Sequence, residues 1–279
     1  MEEKKNEEMH QLQLQFFTNI SHEFRTPLTL ILGTVEQMSL NKAERGRKEY
    51  INILSKNAQR LMRLVNELMD FRKAETGSFH LIVQEKYIND YLEMITNEFH
   101  SLAQTNEIHF EIYMDKQYEK VWFDPQLIEK IFLNLLNNAF KYTKKGGYIE
   151  VKVLSEIKRY KSAFANSYTI DSGFNGNKYF YICIKDDGIG ISKDSIDKVF
   201  NRYYQIEDSE HDSHLGSGVG LALVKSLILL HKGRLTVYAV GYTDRNNLSS
   251  LNCNCIISTS ILRQKTARKR IYFCKILIV

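Results

Sequence analysis

A histidine on the polar side of a predicted helix is the first residue in this chain whose type and position could support chemistry. His22 lies two residues after Ile20 and two before Phe24, and both of these belong to a predicted apolar stripe. At about 100° per residue, His22 therefore points ~200° away from that stripe. An exposed neutral imidazole is a nucleophile near neutral pH. Taken alone, the position also fits an ordinary surface histidine.

The residues that follow His22 favour a catalytic role. Glu23 is adjacent, and its carboxylate could orient the imidazole or accept its proton. Thr26 is four residues on, which places it one turn away on the same face. Pro27 removes a helical hydrogen bond just beyond this group and predicts a kink. Only one other proline, Pro125, occurs in the 279 residues, and this scarcity favours long helices.

A second group of polar residues lies in the segment NLLNNAFKYT (134–143). Asn134 and Asn138 are four residues apart, so a helix would present both amides on one face. Amide oxygens suit Mg²⁺, which usually keeps several waters and bridges phosphates. Lys141 and Tyr142 would add a positive charge and a hydroxyl nearby. Two asparagines alone would also fit a buried helix with polar positions.

Two glycine-rich turns complete a candidate nucleotide site. In DDGIGI (186–191), Asp186 could accept from an adenine amino group, while Gly188 and Gly190 permit close backbone approach. The turn GSGVGL precedes an apolar helix, whose N-terminus favours phosphate. Its nucleotide-binding candidates are Gly216, Gly218, Gly220 and Leu221. It matches neither the Walker A nor the dinucleotide pattern, and DDGIGI alone also fits a plain turn.

Residues 199–215 lie between these turns, and the polar latter half of this segment is predicted to form a lid over the nucleotide. Arg202 could reach a phosphate. Three aromatic residues could anchor the lid: Phe200, Tyr203 and Tyr204. For Glu207–His214, a solvated loop is an equally good interpretation.

The first 75 residues are predicted to form a helical hairpin. In residues 3–40, apolar residues recur every three or four positions, namely Leu12, Phe16, Ile20, Phe24, Leu28, Ile31, Val35 and Met38. In residues 48–74, the spacing alternates between three and four at Ile51, Leu54, Ala58, Leu61, Val65 and Leu68. The polar break 41–47 joins the two helices. A single hairpin cannot bury both stripes, so a homodimer through residues 1–75, forming a four-helix bundle, is predicted.

The pattern changes after Gly77 to mixed strands and helices, which indicates an α/β sandwich. Strands are predicted at 79–83, 108–114, 120–123, 148–154, 179–186 and 234–240, and helices at 87–104, 125–142 and 217–231. Asp124 suits the N-cap of the second of these helices, and Pro125 its first position. Residues 155–178 are predicted to be a long hairpin loop.

Composition sets limits on function. The net charge of +5 is too small to argue for nucleic-acid binding. The four cysteines show no disulfide spacing. No segment reaches the ~18 apolar residues of a membrane span. Membrane contact and nucleic-acid binding by this stretch of chain are therefore not expected.

The string SHEFRTPLTLILG (21–33) resembles the phosphoacceptor motif of sensor histidine kinases of two-component systems. Four downstream motifs resemble, in their order, the N, G1, F and G2 boxes of the GHKL ATP-binding fold. They are the Asn motif 134–143, the D-x-G-x-G turn 186–191, the aromatic segment that begins near Phe200, and the G-x-G-x-G turn 216–220. The sequences of two segments, FFTNISHEFRTPLTLI (16–31) and LMDFRKAETG (68–77), are most similar to those of hybrid sensors of the Bacteroidetes type.

The resemblance implies an ATP-dependent protein-histidine kinase core with Mg²⁺. His22 would be phosphorylated, Glu23 would act as general base, and Thr26 would support dephosphorylation of the partner. The phosphoryl group would pass to an Asp of a response-regulator receiver domain. The implied domains are 1–75 for dimerisation and phosphotransfer, 76–80 as linker, and 81–262 as the ATP-binding (Bergerat) domain, in an α+β fold. A cytoplasmic piece of a longer, inner-membrane-anchored protein is expected.

The C-terminal part departs from the family pattern. Residues 241–262 contain no Pro and lack a Gly-Thr pair, although CIISTSIL can supply the last strand. Residues 263–279 are expected to be a basic linker and the truncated start of a receiver domain, since KILIV resembles its first strand. Two other functions stay open: a non-catalytic dimeric signalling module, and a GHKL ATPase. The second is disfavoured because such enzymes usually begin the Asn motif with Glu, where this chain has Asn134.

Overall fold

The computed structural model describes residues 2–40, 47–115, 120–154, 166–173, 179–206, 218–239 and 253–260. The chain divides into two compact units. The first comprises Met1–Ser78 and Asn201–Gly220, and the second comprises Phe79–Phe200 and Leu221–Val279. The domain limits predicted from the sequence stay predictions.

Two long helices build the first unit. Helix α1 spans Glu2–Leu40 and helix α2 spans Arg47–Glu75, which confirms the two predicted helices. The predicted connection lies, apart from its last residue, outside the described residues. The two helices pack through aromatic and aliphatic residues that are at least nine-tenths buried: Phe16, Leu64 and Phe71.

Much of the predicted apolar stripe stays exposed in the single chain. Leu28 and Val35 of α1 are 49% and 50% exposed, and Ile51 and Val65 of α2 are 51% and 40% exposed. Pairing of the two helices therefore covers only part of the apolar surface that the periodicity identified. Among the described helices, none combines the length and apolarity needed to cross a membrane.

The second unit alternates strands and helices. In chain order its elements are β1 (Gln84–Lys86), α3 (Ile88–Thr105), β2 (His109–Met114), β3 (Val121–Phe123), α4 (Pro125–Tyr142), β4 (Tyr148–Leu154), β5 (Asn166–Asp171), β6 (Tyr179–Asp186), α5 (Gly220–Leu230), β7 (Arg234–Ala239) and β8 (Cys253–Ser260). A short 3₁₀ turn covers Lys198–Phe200.

Six of these strands form one sheet in the order β2-β4-β6-β8-β7-β5, and β1 pairs with β3 separately. Among the strands that the structure describes, β2 and β4 pair in parallel and the other pairs are antiparallel. Strand β8 lies between β6 and β7, so the segment CIISTSIL does supply a central strand, beginning at Cys253 and ending at Ser260. The long α3, α4 and α5 helices each bury one apolar side, and alternate strand residues are buried with them, as expected for a sandwich. Fully buried members of this core include Ile88, Leu92, Ile128, Phe132, Leu136, Ile149, Val151, Ile182, Leu227 and Ile228.

Three elements predicted from the sequence differ from the structure: the strand 79–83, the start of the helix at 217, and the loop 155–178. Residues 79–83 are not a strand: the N–H of Ile82 donates to Oδ2 of Asp124 at 2.7 Å, and ladder pairing begins only at Gln84 opposite Phe123. The partner strand is three residues long, so it cannot pair with more of the segment. The helix predicted from 217 begins at Gly220.

The predicted loop 155–178 contains a strand. β5 pairs antiparallel with β7, which comes some 60 residues later in the chain. Its Thr169 hydroxyl hydrogen-bonds that of Thr236 at 3.1 Å. The polar flanks of this strand concealed it, because the residues that stabilise it are distant in sequence.

Candidate functional site

His22 lies on the exposed side of α1, as its position relative to the apolar stripe predicted. Ile20 and Phe24 are half-buried, whereas His22 is exposed. The Thr26 hydroxyl donates to the carbonyl oxygen of His22 at 3.3 Å, so this threonine does lie one turn away on the same side. The phosphoacceptor candidate is therefore accessible to a reaction partner.

Pro27 is buried within the helix immediately after this group. Since proline has no N–H, the helical hydrogen bond to the carbonyl of Glu23 is missing. Glu23 itself is half-buried beside His22. The predicted kink, and the predicted action of Glu23 on the imidazole, stay predictions.

Helix α4 of the second unit is fixed at its start by Asp124. One carboxylate oxygen accepts from the N–H of Leu127 at 3.1 Å, and the other accepts from Ile82 at 2.7 Å. Pro125 occupies the first turn. The predicted N-cap is confirmed, and Asp124 also holds the segment before β1 against the start of this helix.

The polar residues predicted on one face of α4 are half-buried there. Asn134 donates from its amide nitrogen to the carbonyl oxygen of Lys130 at 2.7 Å, which turns the oxygen end of the amide away from that bond. Asn138 follows one turn later. The Lys141 ammonium lies 5.0 Å from the centre of the Tyr142 ring. This face therefore offers amide oxygens and a positive charge along two turns of one helix.

The turn after β6 packs directly on the end of α4. A Cβ added to Gly188 would lie 2.7 Å from the carbonyl oxygen of Tyr142 and 2.8 Å from Oδ1 of Asp186. Gly190 has a φ of +74°, which favours glycine. The structure thus brings Asp186, Gly188 and Tyr142 together, and only glycine fits at the contact.

The carboxyl group of Asp186 has an altered acidity. Its burial raises its pKa from 3.8 to about 7; the N–H of Gly188, which donates to Oδ1 at 3.0 Å, opposes this, and the neighbouring charge of Asp187 adds to it. A partly buried carboxyl with such a pKa is typical of a ligand-binding position. Its oxygens can accept from an amino group such as that of adenine.

Two residues of this region were missed by sequence reasoning. Oδ1 of Asp187 accepts from the N–H of Tyr148 at 2.8 Å. A Cβ on Gly147 would lie 2.7 Å from that oxygen and 2.5 Å from the Thr143 methyl carbon. These contacts fix the turn between α4 and β4 against the Asp186 turn. In the sequence, these two positions are marked only by the adjacent pairs Asp186-Asp187 and Gly146-Gly147.

The other residues predicted to bind nucleotide are divided between the start of α5 and the first unit. Gly220 is the first residue of α5 and Leu221 the second. Gly218 has a φ of +68° and lies with Arg202 in the first unit. Gly216 lies outside the described residues. Arg202 pairs with Glu75 of α2 at 3.0 Å, so its predicted phosphate contact stays a prediction.

The described residues fit a nucleotide better than a metal held by protein alone. They contain no cluster of three or more His, Cys, Asp or Glu side chains able to hold a metal ion. The carboxyl of Asp186 can accept from the amino group of a base, and the amides on α4 suit the Mg²⁺ that accompanies phosphates. Mg²⁺ is commonly held by one or two protein oxygens together with such phosphates.

Comparisons with known proteins identify both parts of the chain. Residues 12–77 match the family described as the His Kinase A (phospho-acceptor) domain, and residues 123–261 match the histidine kinase-, DNA gyrase B-, and HSP90-like ATPases. The chain is 37% identical over 239 residues to histidine kinase P4 of Formosa agariphila, covering 84% of this chain and 16% of that protein. That source agrees with the expected Bacteroidetes-type resemblance. The chain thus spans a small part of this relative's length.

Solved structures share the fold. Full-length ShkA, solved in complex with AMPPNP, superposes with a TM-score of 0.58 at 19% identity, over 94% of this chain and 46% of that one. The histidine kinase ThkA, solved in complex with the response regulator protein TrrA, gives a TM-score of 0.53 at 20% identity, over 92% of this chain and 65% of that one.

Proposed function

The chain belongs to the sensor histidine kinase family, and on that premise we propose that it is an ATP-dependent kinase core that phosphorylates itself on His22. The observation that carries the proposal is the exposed His22, with Thr26 one turn away, in a chain that also holds the Asp186–Gly188 turn against the end of α4.

The phosphorylation step would use the residues around His22. One ring nitrogen attacks the γ-phosphorus in line; the N–P bond forms as the bond to the bridging oxygen of ADP breaks. The carboxylate of Glu23 accepts the ring proton, so His22 ends as a phosphoramidate. Catalysis of such transfer rests mainly on positioning and charge stabilisation.

The second unit would bind the nucleotide. Asp186 accepts from the adenine amino group, and Gly188 and Gly190 let the backbone approach the base. Mg²⁺, when bound, neutralises phosphate charge; Asn138 and Asn134 would hold it together with the phosphates. The other phosphate-side residues in this proposal are Lys141, Tyr142, Arg202, Gly216, Gly218, Gly220 and Leu221.

A homodimer through residues 1–75 is part of the proposal. Leu28, Val35, Ile51 and Val65 are each at least 40% exposed in the single chain. They occupy stripe positions that the periodicity assigned to a bundle core, and a second hairpin would cover them. Truncation of Val65 and Ile51 to Ala is expected to weaken the dimer without unfolding α2.

We further propose that phosphorylated His22 passes its phosphoryl group to an Asp of a receiver domain, and that Thr26 supports the later dephosphorylation of that receiver domain. The exposure of both residues supports access by such a partner. ThkA was solved with a response regulator, which makes this partner class the natural one to test. The proposed domain limits are 1–75, a 76–80 linker, 81–262 and the 263–279 tail.

Two measurements test the nucleotide site and the phosphoacceptor separately: calorimetric titration with Mg·ATP and incorporation of phosphate from γ-labelled ATP. Asn138→Ala should abolish or greatly weaken binding, whereas Asn137→Ala, at the exposed neighbouring position of α4, should bind like the wild type. His22→Gln should bind ATP normally but fail to incorporate phosphate from γ-labelled ATP. Binding without incorporation in the folded wild type would instead support a non-catalytic module, and steady turnover without phosphoprotein would support an ATPase.

A further inference from the structure

The pairing between β4 and β6 continues one residue past the last strand pair. That pair is Ile149 with Asp186, and the residues next to it are Tyr148 and Asp187. The N–H of Asp187 donates to the carbonyl oxygen of Tyr148 at 3.1 Å, and the N–H of Tyr148 donates to Oδ1 of Asp187 at 2.8 Å. In an ordinary antiparallel pair the two residues exchange both bonds through their main chains. Here the side chain of Asp187 replaces its own carbonyl oxygen as the acceptor.

This replacement lets the chain leave the sheet directly after Asp187. Because the carboxylate completes the pair, the main-chain carbonyl of Asp187 does not have to face β4. The next residue, Gly188, donates its N–H to Oδ1 of Asp186 at 3.0 Å. A Cβ on Gly188 would lie 2.7 Å from the carbonyl oxygen of Tyr142, so the chain turns onto the end of α4 at once. Asp187 is therefore the residue at which β6 becomes the turn that carries the base-binding candidate.

Gly147 leaves the space that the Asp187 carboxylate occupies. A Cβ on Gly147 would lie 2.7 Å from Oδ1 of Asp187 and 2.8 Å from the carbonyl oxygen of Lys144. The main chain of Gly147 is fixed on both sides: its N–H donates to that Lys144 oxygen at 2.9 Å, and its carbonyl oxygen accepts from the N–H of His109 at 2.8 Å. The Asp187 carboxylate is thus held beside a main chain that is bonded to the turn after α4 and to β2.

The two adjacent aspartates have different partners. Successive side chains of an extended chain point to opposite faces. Asp187 is exposed, and its Oδ1 is bonded to the N–H of Tyr148. Asp186 is bonded through its Oδ1 to Gly188, and a carboxylate has a second oxygen that can accept. One aspartate is therefore suited to bind a ligand, and the other shapes the turn that holds it.

We propose that Asp187 is a positioning residue for the nucleotide: its bond to the Tyr148 N–H sets the turn that directs the Asp186 carboxyl at the base. The inference rests on the proposed function, since it requires Asp186 to accept from the adenine amino group. Asp187 does not touch the nucleotide; it fixes the residue that does. The residues whose contacts carry this inference all belong to the second unit.

The expected effect follows from the loss of one hydrogen bond. Such a bond shifts an equilibrium about two- to tenfold, and apparent affinity falls with the fraction of molecules in the binding-competent form. Asp187→Ala removes the acceptor and should raise the Kd for Mg·ATP about two- to tenfold. Asp187→Asn keeps an oxygen that can accept from the same N–H, so its Kd should stay within about twofold of the wild-type value.

A double-mutant cycle measured by calorimetry tests whether the effect passes through Asp186. Wild type, Asp187→Ala, Asp186→Asn and the double variant are titrated with Mg·ATP. Asp187→Ala should weaken binding in the wild-type background and add nothing to Asp186→Asn. The matched control is Asp197→Ala, which removes another exposed aspartate of the second unit and should leave the Kd unchanged. Urea unfolding of each variant without nucleotide establishes that the titrated protein is folded.

Four outcomes would overturn the proposal. If Asp186→Asn weakens binding and Asp187→Ala does not, Asp187 only ends the strand, and the proposed function stands. If Asp187→Asn weakens binding as much as Asp187→Ala, the hydrogen bond is not the cause. If Asp187→Ala weakens binding equally in both Asp186 backgrounds, its effect does not pass through that carboxyl. If the folded wild type fails to bind Mg·ATP, the proposed function and the positioning role are both wrong.

Discussion

Gly188 lies so close to Tyr142 that a methyl group on its Cα would come within 2.7 Å of the Tyr142 carbonyl oxygen. One residue belongs to the turn after β6 and the other to the last turn of α4. The contact joins the two segments that carry the base-binding and phosphate-binding candidates.

Gly188→Ala should therefore displace the turn from the helix. Overpacking of this kind costs about 1–3 kcal/mol, and binding of Mg·ATP should be lost with it. Urea unfolding and calorimetric titration measure the two effects. Gly33→Ala is the control, because a Cβ at Gly33 meets nothing within 4 Å and ATP affinity should be unchanged. Normal affinity in Gly188→Ala would show that the turn is not at the nucleotide site.

Asp124 should be a major determinant of the stability of the second unit. Replacement by Ala removes an N-cap, which costs about 0.5–2 kcal/mol, and removes the hydrogen bond from the N–H of Ile82, whose net contribution is about 0.5–1.5 kcal/mol because Ile82 is exposed and water can replace the acceptor. We expect Asp124→Ala to lower the free energy of unfolding by about 1–3 kcal/mol, and Asp124→Asn by less, since an amide oxygen can still cap. Urea titration measures this; a loss under about 0.5 kcal/mol, typical of surface changes, would contradict the capping role.

The acidity of Asp186 predicts a pH dependence. Its pKa is raised from 3.8 to about 7 by burial, so the folded chain binds this proton more tightly than the unfolded chain. Its stabilising contribution is present below pH 3.8 and is lost as pH rises toward 7. Between pH 5 and 8, the Tm of the ligand-free wild type should fall more than that of Asp186→Asn. Asp194→Asn, at an exposed position, should follow the wild type; identical slopes in all three would contradict the prediction.

His231 predicts the opposite dependence. It follows α5, is 1% exposed, and its Nδ1 lies 2.8 Å from the carbonyl oxygen of Leu227. Burial lowers its pKa below 6.5, although the Leu227 carbonyl and the charge of Asp124 oppose this. Its contribution to stability is present above pH 6.5 and is lost as pH falls toward the lower folded-state pKa. From pH 7.5 to 5.5, His231→Gln should lose less unfolding free energy than the wild type. An equal or greater loss would be evidence against a neutral, buried imidazole.

Local patterns predicted those elements whose stabilising contacts are close in sequence. The helical periodicity of 3–40 and 48–74 located α1 and α2, and Asp124-Pro125 located the start of α4 to the residue. Position relative to the stripe also predicted the exposure of His22. These features depend on neighbours within one or two helical turns.

The missed features depend on distant partners. β5 is stabilised by β7, and Asp187 by the N–H of Tyr148, 39 residues earlier. The apolar run 79–83 looked like a strand, but its N–H at Ile82 is taken by Asp124. The pairing of Arg202 with Glu75 joins residues 127 positions apart. No spacing rule within a single segment indicates such pairs.

The most direct measurement of the proposed function is the intact mass of the chain after incubation with Mg·ATP, followed by mapping of the modified peptide. The wild type should gain one phosphoryl group on His22, stable in alkali and lost in acid. His10→Gln, which changes another exposed histidine of α1, should gain it equally, and His22→Gln should gain none. Equal labelling of His22→Gln, or a wild type that binds ATP and stays unmodified, would contradict the assignment of His22 as the phosphoacceptor.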